Sequence, residues 1–147
     1  MSQENVGVVR RHQEAFNRGD LMTMRELTSP DIEWWDRADD PDASVHRGYD
    51  AVMKHLAEFD DLAELRVEPR EFIDAGDFVV VPTRQVGRGR TSAAFFEEDQ
   101  VNVFRVRDGS ARSFGSTATG AKPSKRWDWR SRRSAPCAGQ ACAAPSQ

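Results

Sequence analysis

Three polar side chains stand where they could do acid–base chemistry. Asp36 follows Ile32 and Trp34 at alternate positions of a predicted strand, so the three side chains point to one face of a sheet. A carboxylate beside an indole in an apolar cavity is a stronger base than one in water, because burial disfavours its charged form. We therefore take Asp36 as the candidate general base. The simpler alternative is that it caps the polar loop that begins at Asp39.

His12 and Gln100 are two further polar residues whose side chains are able to donate hydrogen bonds. A neutral imidazole or a side-chain amide can donate to an oxygen on which negative charge builds up, as in an enolate. His12 equally fits the edge of an amphipathic helix, and Gln100 equally fits the outer face of a strand.

Other kinds of site have weaker support in the sequence. His46 precedes a helix and either reaches the mouth of a pocket or lies in a loop. The three histidines, His12, His46 and His55, are dispersed and lack a short ligand pattern such as H-E-x-x-H, so no metal site is expected. The first 109 residues contain no cysteine, no glycine-rich phosphate loop and no G-x-S-x-G nucleophile motif.

Apolar periodicity and turn signals predict the elements that carry these residues. Gly19 suits the left-handed end of a first helix, and Asp20 can cap a second one. The predicted elements, in order, are a helix over 4–17, a second helix through Leu21 and Leu27, a strand over 31–36, a third helix through Val52 and Phe59, and strands at about 64–73, 78–86 and 93–106. Helices grouped ahead of an antiparallel meander indicate the α+β class.

The part of the chain that begins at Ser110 reads as an out-of-frame translation. Trp has one codon, so very few DNA sequences can encode the Trp-Asp-Trp at 127–129. Read from the third base of each codon, with G/C-rich codons back to Ser110, that DNA encodes a β-strand and an amphipathic helix ending in Glu-Ala-Leu-Glu-Ala-Val-Gly-Leu. We therefore predict a domain over 1–109 that lacks its last strand and helix, followed by a largely disordered tail over 110–147.

Charge differs between these two parts. The chain has a formal net charge of −3, but 1–109 holds 14 basic and 23 acidic residues, whereas 110–147 holds seven basic residues and one acidic residue. An acidic body argues against nucleic acid and anionic membranes as partners. No apolar run approaches the roughly 20 residues of a membrane span, and the N-terminus lacks signal-peptide features, so we expect a cytoplasmic protein.

Five stretches resemble the SnoaL-like branch of the nuclear-transport-factor-2-like superfamily, which includes ketosteroid isomerases. They are Ala-Phe-Asn-Arg-Gly-Asp-Leu at 15–21, Pro-Asp-Ile-Glu-Trp at 30–34, Arg-Gly-Tyr-Asp-Ala-Val at 47–52, Phe-Ile-Asp-Ala-Gly-Asp at 72–77 and Phe-Arg-Val-Arg-Asp-Gly at 104–109. The resemblance implies a cone-shaped α+β roll, in which a curved antiparallel sheet wraps an N-terminal helix around a deep apolar pocket. It also implies a homodimer.

The resemblance implies roles for the same polar residues. Counted from 17–20 without a gap, Asp36 aligns with the Asp that removes the proton in ketosteroid isomerases. His12 stands where these enzymes have a donor Tyr, which is a departure from their pattern, and Gln100 lies near their second donor. The residues expected to line the ligand pocket are Trp34, Ile32, Phe16, His46 and Phe104.

Members of this superfamily include isomerases, polyketide cyclases and non-catalytic binders, and fold alone does not choose among these. Three functions therefore stay open. The first is a cofactor-free isomerase or cyclase-type lyase that acts on a small apolar carbonyl compound. The second is a non-catalytic binder of a small apolar ligand. The third is an inactive family member damaged by the shifted frame.

Overall fold

The computed structural model describes residues 2–37 and 43–118, which form helices packed against one sheet. The elements are the helices α1 (Ser2–Arg18), α2 (Leu21–Glu26) and α3 (Tyr49–Leu62) and the strands β1 (Thr28–Trp35), β2 (Val45–Arg47), β3 (Ala63–Pro69), β4 (Ile73–Ala75), β5 (Phe78–Gly89), β6 (Phe95–Arg107) and β7 (Ser110–Ala118). No helix within the described ranges is both long enough and apolar enough to span a membrane.

The two N-terminal helices lie close to their predicted positions: α1 extends slightly beyond the predicted 4–17 at both ends, and α2 ends at Glu26, one residue before Leu27. α1 buries Val8, Val9 and Ala15 against the sheet, and Gly19 follows it with a φ of +70°. A positive φ carries little strain in glycine, because glycine has no Cβ. The Asp20 carboxylate then accepts a hydrogen bond from the backbone N–H of Thr23, at 3.1 Å, and caps α2.

The sheet is curved, and its strands have the order β2-β1-β7-β6-β5-β3, with β4 also paired to β5. All its pairings are antiparallel except the one between β1 and β7. The strand predicted at 64–73 is divided between β3 and β4. Pro69 ends β3, since proline has no N–H to donate to a neighbouring strand.

Side chains of the long strands alternate between two apolar clusters. Val79, Val81 and Phe104 belong to the main core under α1 and α3, whereas Val80 and Val103 belong to a second cluster on the other face of the sheet. The same alternation separates Trp34 from Trp35. The face that holds Phe104 is the one that positions the candidate site.

The expectation that the sheet stops at residue 109 is wrong, because β7 continues it. Asp108 and Gly109 form the predicted turn, both with positive φ, and β7 then pairs with β6 on one side and β1 on the other. Buried backbone N–H and C=O groups need partners, so the inner edges of β1 and β6 strongly favour an intervening strand. The small side chains of Ala111 and Ser113 fit that place. Residues 119–147 lie outside the described part of the chain, and the shifted frame stays a prediction.

Candidate functional site

An apolar cavity of about 580 Å³ lies between α1, α3 and the concave face of the sheet. Its walls carry two groups of polar side chains, one around Asp36 and one around His12. The residues of the wall that enter the argument below are His12, Phe16, Trp34, Asp36, His55, Gln100, Phe104 and Phe114. A mostly apolar cavity with a few convergent polar groups is typical of a small-molecule site.

The first polar group, here called the carboxylate–histidine cluster, consists of Asp36, His46 and His55. Nε2 of His46 lies 3.1 Å from Oδ2 of Asp36, and Nε2 of His55 lies 3.2 Å from Oδ1. The two imidazole rings stack with centroids 3.9 Å apart and an interplanar angle of 19°. Each oxygen of the Asp36 carboxylate therefore contacts the Nε2 atom of one histidine.

Three different elements bring this cluster together. Asp36 directly follows β1, His46 lies in β2 opposite Trp34 in the strand register, and His55 lies in α3. The backbone N–H of Ser44 donates to Oδ2 of Asp36 at 3.2 Å, and its hydroxyl lies 3.3 Å from the same oxygen. Asp36 thus closes the loop before β2, as the simpler interpretation expected, and also lines the cavity.

The pKa of His55 is lowered from its usual value, chiefly because burial disfavours the imidazolium, although the nearby Asp36 carboxylate opposes the shift. The indole of Trp34 meets the His55 ring edge-on, with centroids 6.4 Å apart. The ring of His55 is therefore held between an aromatic wall, a second imidazole and a carboxylate.

The second polar group, here called the buried polar group, consists of His12, Gln13, Gln100 and Asn102. Burial without a charged partner lowers the pKa of His12 to about 4, so this imidazole is neutral at pH 7. Its ring packs edge-on against Phe104, with centroids 5.5 Å apart. Within the described residues Oε1 of Gln13 has no hydrogen-bond partner. The group thus presents neutral donors and acceptors to the cavity.

Gln100 faces the cavity rather than the outer surface of the sheet. Its Nε2 donates to Oδ1 of Asn102 at 3.0 Å, and both side chains are buried on the same face of β6 as Phe104. Because these residues are two positions apart, they line one face of the strand. The amide of Gln100 has a second N–H that can donate to a ligand.

A row of aromatic rings joins the two polar groups. Phe104, which contacts His12, meets Phe114 at a centroid distance of 4.9 Å, and Phe114 stacks on Trp34 at 3.9 Å. Trp34 in turn contacts His55. Phe114 belongs to β7, so the strand that the sequence analysis did not expect supplies part of the cavity wall.

Most of the predicted site residues do line the cavity. Asp36, His12, Gln100 and the aromatic residues Phe16, Trp34 and Phe104 all contribute to its wall. Ile32 does not, because it is 1% exposed and packs in the core, and His46 reaches the site through its contacts with Asp36 and His55.

Sequence reasoning missed the approach of His55 to Asp36. The sequence did contain one indication, because His55 is adjacent to Leu56, which is a core position of the predicted third helix. The spacing alone does not say which strand that helix covers. The catalytic roles of Asp36, His12 and Gln100 stay predictions.

Comparisons with known proteins agree with this architecture. The family model of the SnoaL-like domain matches residues 9–114. A nuclear-transport-factor-2-like protein of Burkholderia xenovorans is 30% identical with a TM-score of 0.69, covering 79% of this chain and 89% of that one. TerC, crystallised with polyporic acid, is 23% identical with a TM-score of 0.70, covering 78% and 91%. A Xanthomonas campestris protein provisionally named a polyketide cyclase is 22% identical with a TM-score of 0.68, covering 79% and 90%. No curated protein matches the chain.

A curved sheet that wraps an N-terminal helix around a deep cavity defines the nuclear-transport-factor-2-like class of α+β proteins. Within this class the chain belongs to the SnoaL-like family, because the family model covers most of its length. The two matches below 25% identity support the fold alone.

Proposed function

We propose that the protein binds a small, uncharged, apolar carbonyl compound and removes a proton next to the carbonyl group. One observation carries this proposal: the Asp36 carboxylate and the neutral donors of His12 and Gln100 face the same apolar cavity. A base and an oxyanion donor on separate parts of one cavity suit a substrate whose acidic carbon and carbonyl oxygen point in different directions.

The proposed reaction begins when Asp36 takes a proton from the carbon next to the carbonyl. Oδ1 of Asp36 contacts only His55 among the described residues, so this oxygen retains an accepting position. The electrons of the broken C–H bond move to the carbonyl oxygen, and His12 and Gln100 donate hydrogen bonds to the enolate that forms. Return of the proton to a different carbon completes an isomerisation. Attack of the enolate on a second carbonyl of the same molecule forms a carbon–carbon bond and an alkoxide, and transfer of the proton from Asp36 to that alkoxide completes a cyclisation.

The neutral state of His12 supports an uncharged ligand. An imidazole whose pKa is about 4 carries no positive charge at pH 7, so it offers a hydrogen bond without an ion pair. The other members of the buried polar group, Gln13, Gln100 and Asn102, are neutral amides. A ligand carboxylate placed beside them would lose its hydration without meeting an opposite charge.

Hydrogen–deuterium exchange tests the proton abstraction directly. The probe is 2-tetralone, a bicyclic ketone with acidic C–H groups next to its carbonyl, incubated with the full chain in D₂O and followed by NMR. We expect catalysed exchange, and we expect Asp36→Asn to reduce its rate by about 10²–10⁴-fold, the usual contribution of a general base. The matched control is Asp31→Asn, which removes an exposed carboxylate near the start of β1. Exchange that survives in Asp36→Asn would remove this residue from the mechanism.

A non-catalytic binder is the second candidate, and the carboxylate–histidine cluster favours it. Both oxygens of Asp36 already accept contacts from imidazole nitrogens, so the carboxylate is engaged by side chains of the protein itself. This candidate predicts saturable binding of 2-tetralone, read from quenching of Trp34 fluorescence, with no exchange above the solvent rate. Trp34→Phe identifies the signal from the cavity among the four tryptophans of the chain.

The proposal includes a cytoplasmic homodimer, as the family resemblance implies. Sedimentation equilibrium of the full chain measures the oligomeric state, and a monomer at every concentration would remove the dimer from the proposal. The third open function, an inactive chain, predicts neither binding nor exchange in the same experiments.

A further inference from the structure

We propose that Asp36, His46 and His55 form a binding site for one divalent transition-metal ion, with Zn²⁺ as the reference ion. The inference goes beyond the proposed function and does not depend on it, because it concerns only how three side chains are placed. The described residues contain one such group of three potential ligand atoms within 4.8 Å of one another.

Two of the separations between the potential ligand atoms are close to those that a metal ion requires. Zinc bonds to histidine nitrogen and carboxylate oxygen are about 2.0–2.2 Å long, so two ligands at a tetrahedral angle lie roughly 3.3 Å apart. Nε2 of His46 and Nε2 of His55 lie 3.1 and 3.2 Å from the oxygens of Asp36. The two nitrogens face different oxygens of the carboxylate, and the three potential ligand atoms lie within 4.8 Å of one another, so rotations of these side chains would direct their lone pairs at one ion.

The donor set selects the class of metal. Two imidazoles and one carboxylate suit Zn²⁺, Fe²⁺, Co²⁺ and Ni²⁺, whereas Ca²⁺ and Mg²⁺ prefer sites made of oxygen atoms alone. Three protein ligands leave at least one coordination position for water or for a substrate, as in catalytic rather than structural zinc sites. Since Asp36 and His55 line the cavity, that position would be reached from the cavity.

The surroundings hold the three side chains in place before an ion arrives. Ser44 donates its backbone N–H to the Asp36 carboxylate, and Trp34 packs against the ring of His55. Such outer contacts orient metal ligands and raise affinity. The side chains of Asp36, His46 and His55 retain 14%, 21% and 26% of their exposure, so an ion can reach them without unfolding of the site.

Metal binding and proton abstraction would compete for the same atoms. A bound ion would occupy an oxygen of Asp36 and withdraw electron density from the carboxylate, which makes it a poorer base. Zn²⁺ is therefore expected to inhibit the exchange of 2-tetralone, and a chelator to restore it.

The first experiment is a titration of the metal-free full chain with Co²⁺, whose visible absorption reports its ligands, followed by calorimetry with Zn²⁺. Cys137 and Cys142 are replaced by Ser throughout, so that thiols contribute nothing. We expect one ion per chain. We expect His46→Gln and His55→Gln each to weaken binding by roughly 100-fold or more, since each removes a ligand. Asp31→Asn is the control, because it removes an exposed carboxylate away from the cluster, and it should bind the ion as tightly as the parent.

Two outcomes would overturn the proposal. One is the absence of binding to the folded parent protein. The other is binding that neither histidine substitution weakens. Circular dichroism shows whether each variant is folded, and Asp36→Asn supplies a third test at the remaining ligand. Failure here is distinct from failure of the proposed function, because the titration needs no 2-tetralone and the exchange assay can be run in a chelator.

Discussion

The carboxylate–histidine cluster and the buried polar group use the same residue type in opposite ways. His55 lies half-buried beside a carboxylate, which opposes the effect of burial on its pKa. His12 is buried without a charged partner, and its pKa falls to about 4. The first group can therefore exchange protons or bind a cation, whereas the second offers only neutral hydrogen bonds. One cavity therefore has a part of its wall that can carry charge, at the carboxylate–histidine cluster, and a part that carries only neutral polar side chains, at the buried polar group.

This separation depends on the aromatic residues between the two groups. Phe104, Phe114 and Trp34 form an apolar wall between His12 and His55, and a lower local dielectric beside apolar side chains strengthens each group's own interactions. The comparison leads to four predictions, which run from the largest expected effect to the smallest.

Phe104→Ala should remove the barrier between the groups and have the largest effect. Phe104 is 2% exposed and contacts both His12 and Phe114, so its loss leaves a cavity in the core. We expect the free energy of unfolding to fall by about 3–5 kcal/mol, measured by urea denaturation. Phe95→Ala, at a ring that is 68% exposed, is the control and should change it by less than about 0.5 kcal/mol. Equal effects of the two substitutions would contradict this account of the core.

His12 should make the protein sensitive to mild acid. Its pKa is about 4 in the folded protein and 6.5 in the unfolded chain, so as the pH falls the unfolded state takes up the proton first. The titration of His12 therefore lowers stability between about pH 6.5 and pH 4 and makes no further difference below that range. The full contribution is about 3 kcal/mol.

The measurement for His12 compares urea unfolding of the parent and of His12→Gln at several pH values. The difference between the two curves isolates His12 from the other titrating groups. We expect the parent to lose more stability than the variant between pH 7 and pH 4. Parallel curves would mean that His12 is not buried in a neutral state.

Gln100→Leu tests the amide pair of the buried polar group. The substitution leaves Oδ1 of Asn102 buried without its donor, and we expect a loss of about 1–3 kcal/mol in the free energy of unfolding. The double variant with Asn102→Leu removes both partners and should recover part of the loss. Additive losses in the double-mutant cycle would show that the two amides do not interact.

Ser44→Ala should have the smallest effect, because Ser44 is exposed and water can replace its hydroxyl. The backbone N–H still donates to Asp36. We expect the free energy of unfolding to change by at most about 1 kcal/mol. A much larger change, measured by the same denaturation, would show that the cluster depends on this hydroxyl.

For some of the candidate site residues, the sequence predicts correctly which face of a strand or helix they occupy, and for others it does not predict whether they reach the cavity. Strand alternation puts Trp34 and Asp36 on one face, and the same rule puts Gln100 and Phe104 together on β6. His12 lies on the buried side of α1. Alternation also suggested Ile32 for the pocket, but it says nothing about depth, and Ile32 lies in the core below the cavity.

Local sequence by itself determined the three helices, the cap of α2 at Asp20 and the family of this chain, but it did not predict β2 or β7. These follow from signals within a few residues of one another, such as apolar periodicity and the Gly19–Asp20 break. Only the tertiary structure decided that Asp36, His46 and His55 meet and that β7 completes the sheet. The first depends on how α3 packs across β1 and β2. The second depends on the backbone hydrogen bonds that the inner edges of β1 and β6 offer to a strand of ordinary composition.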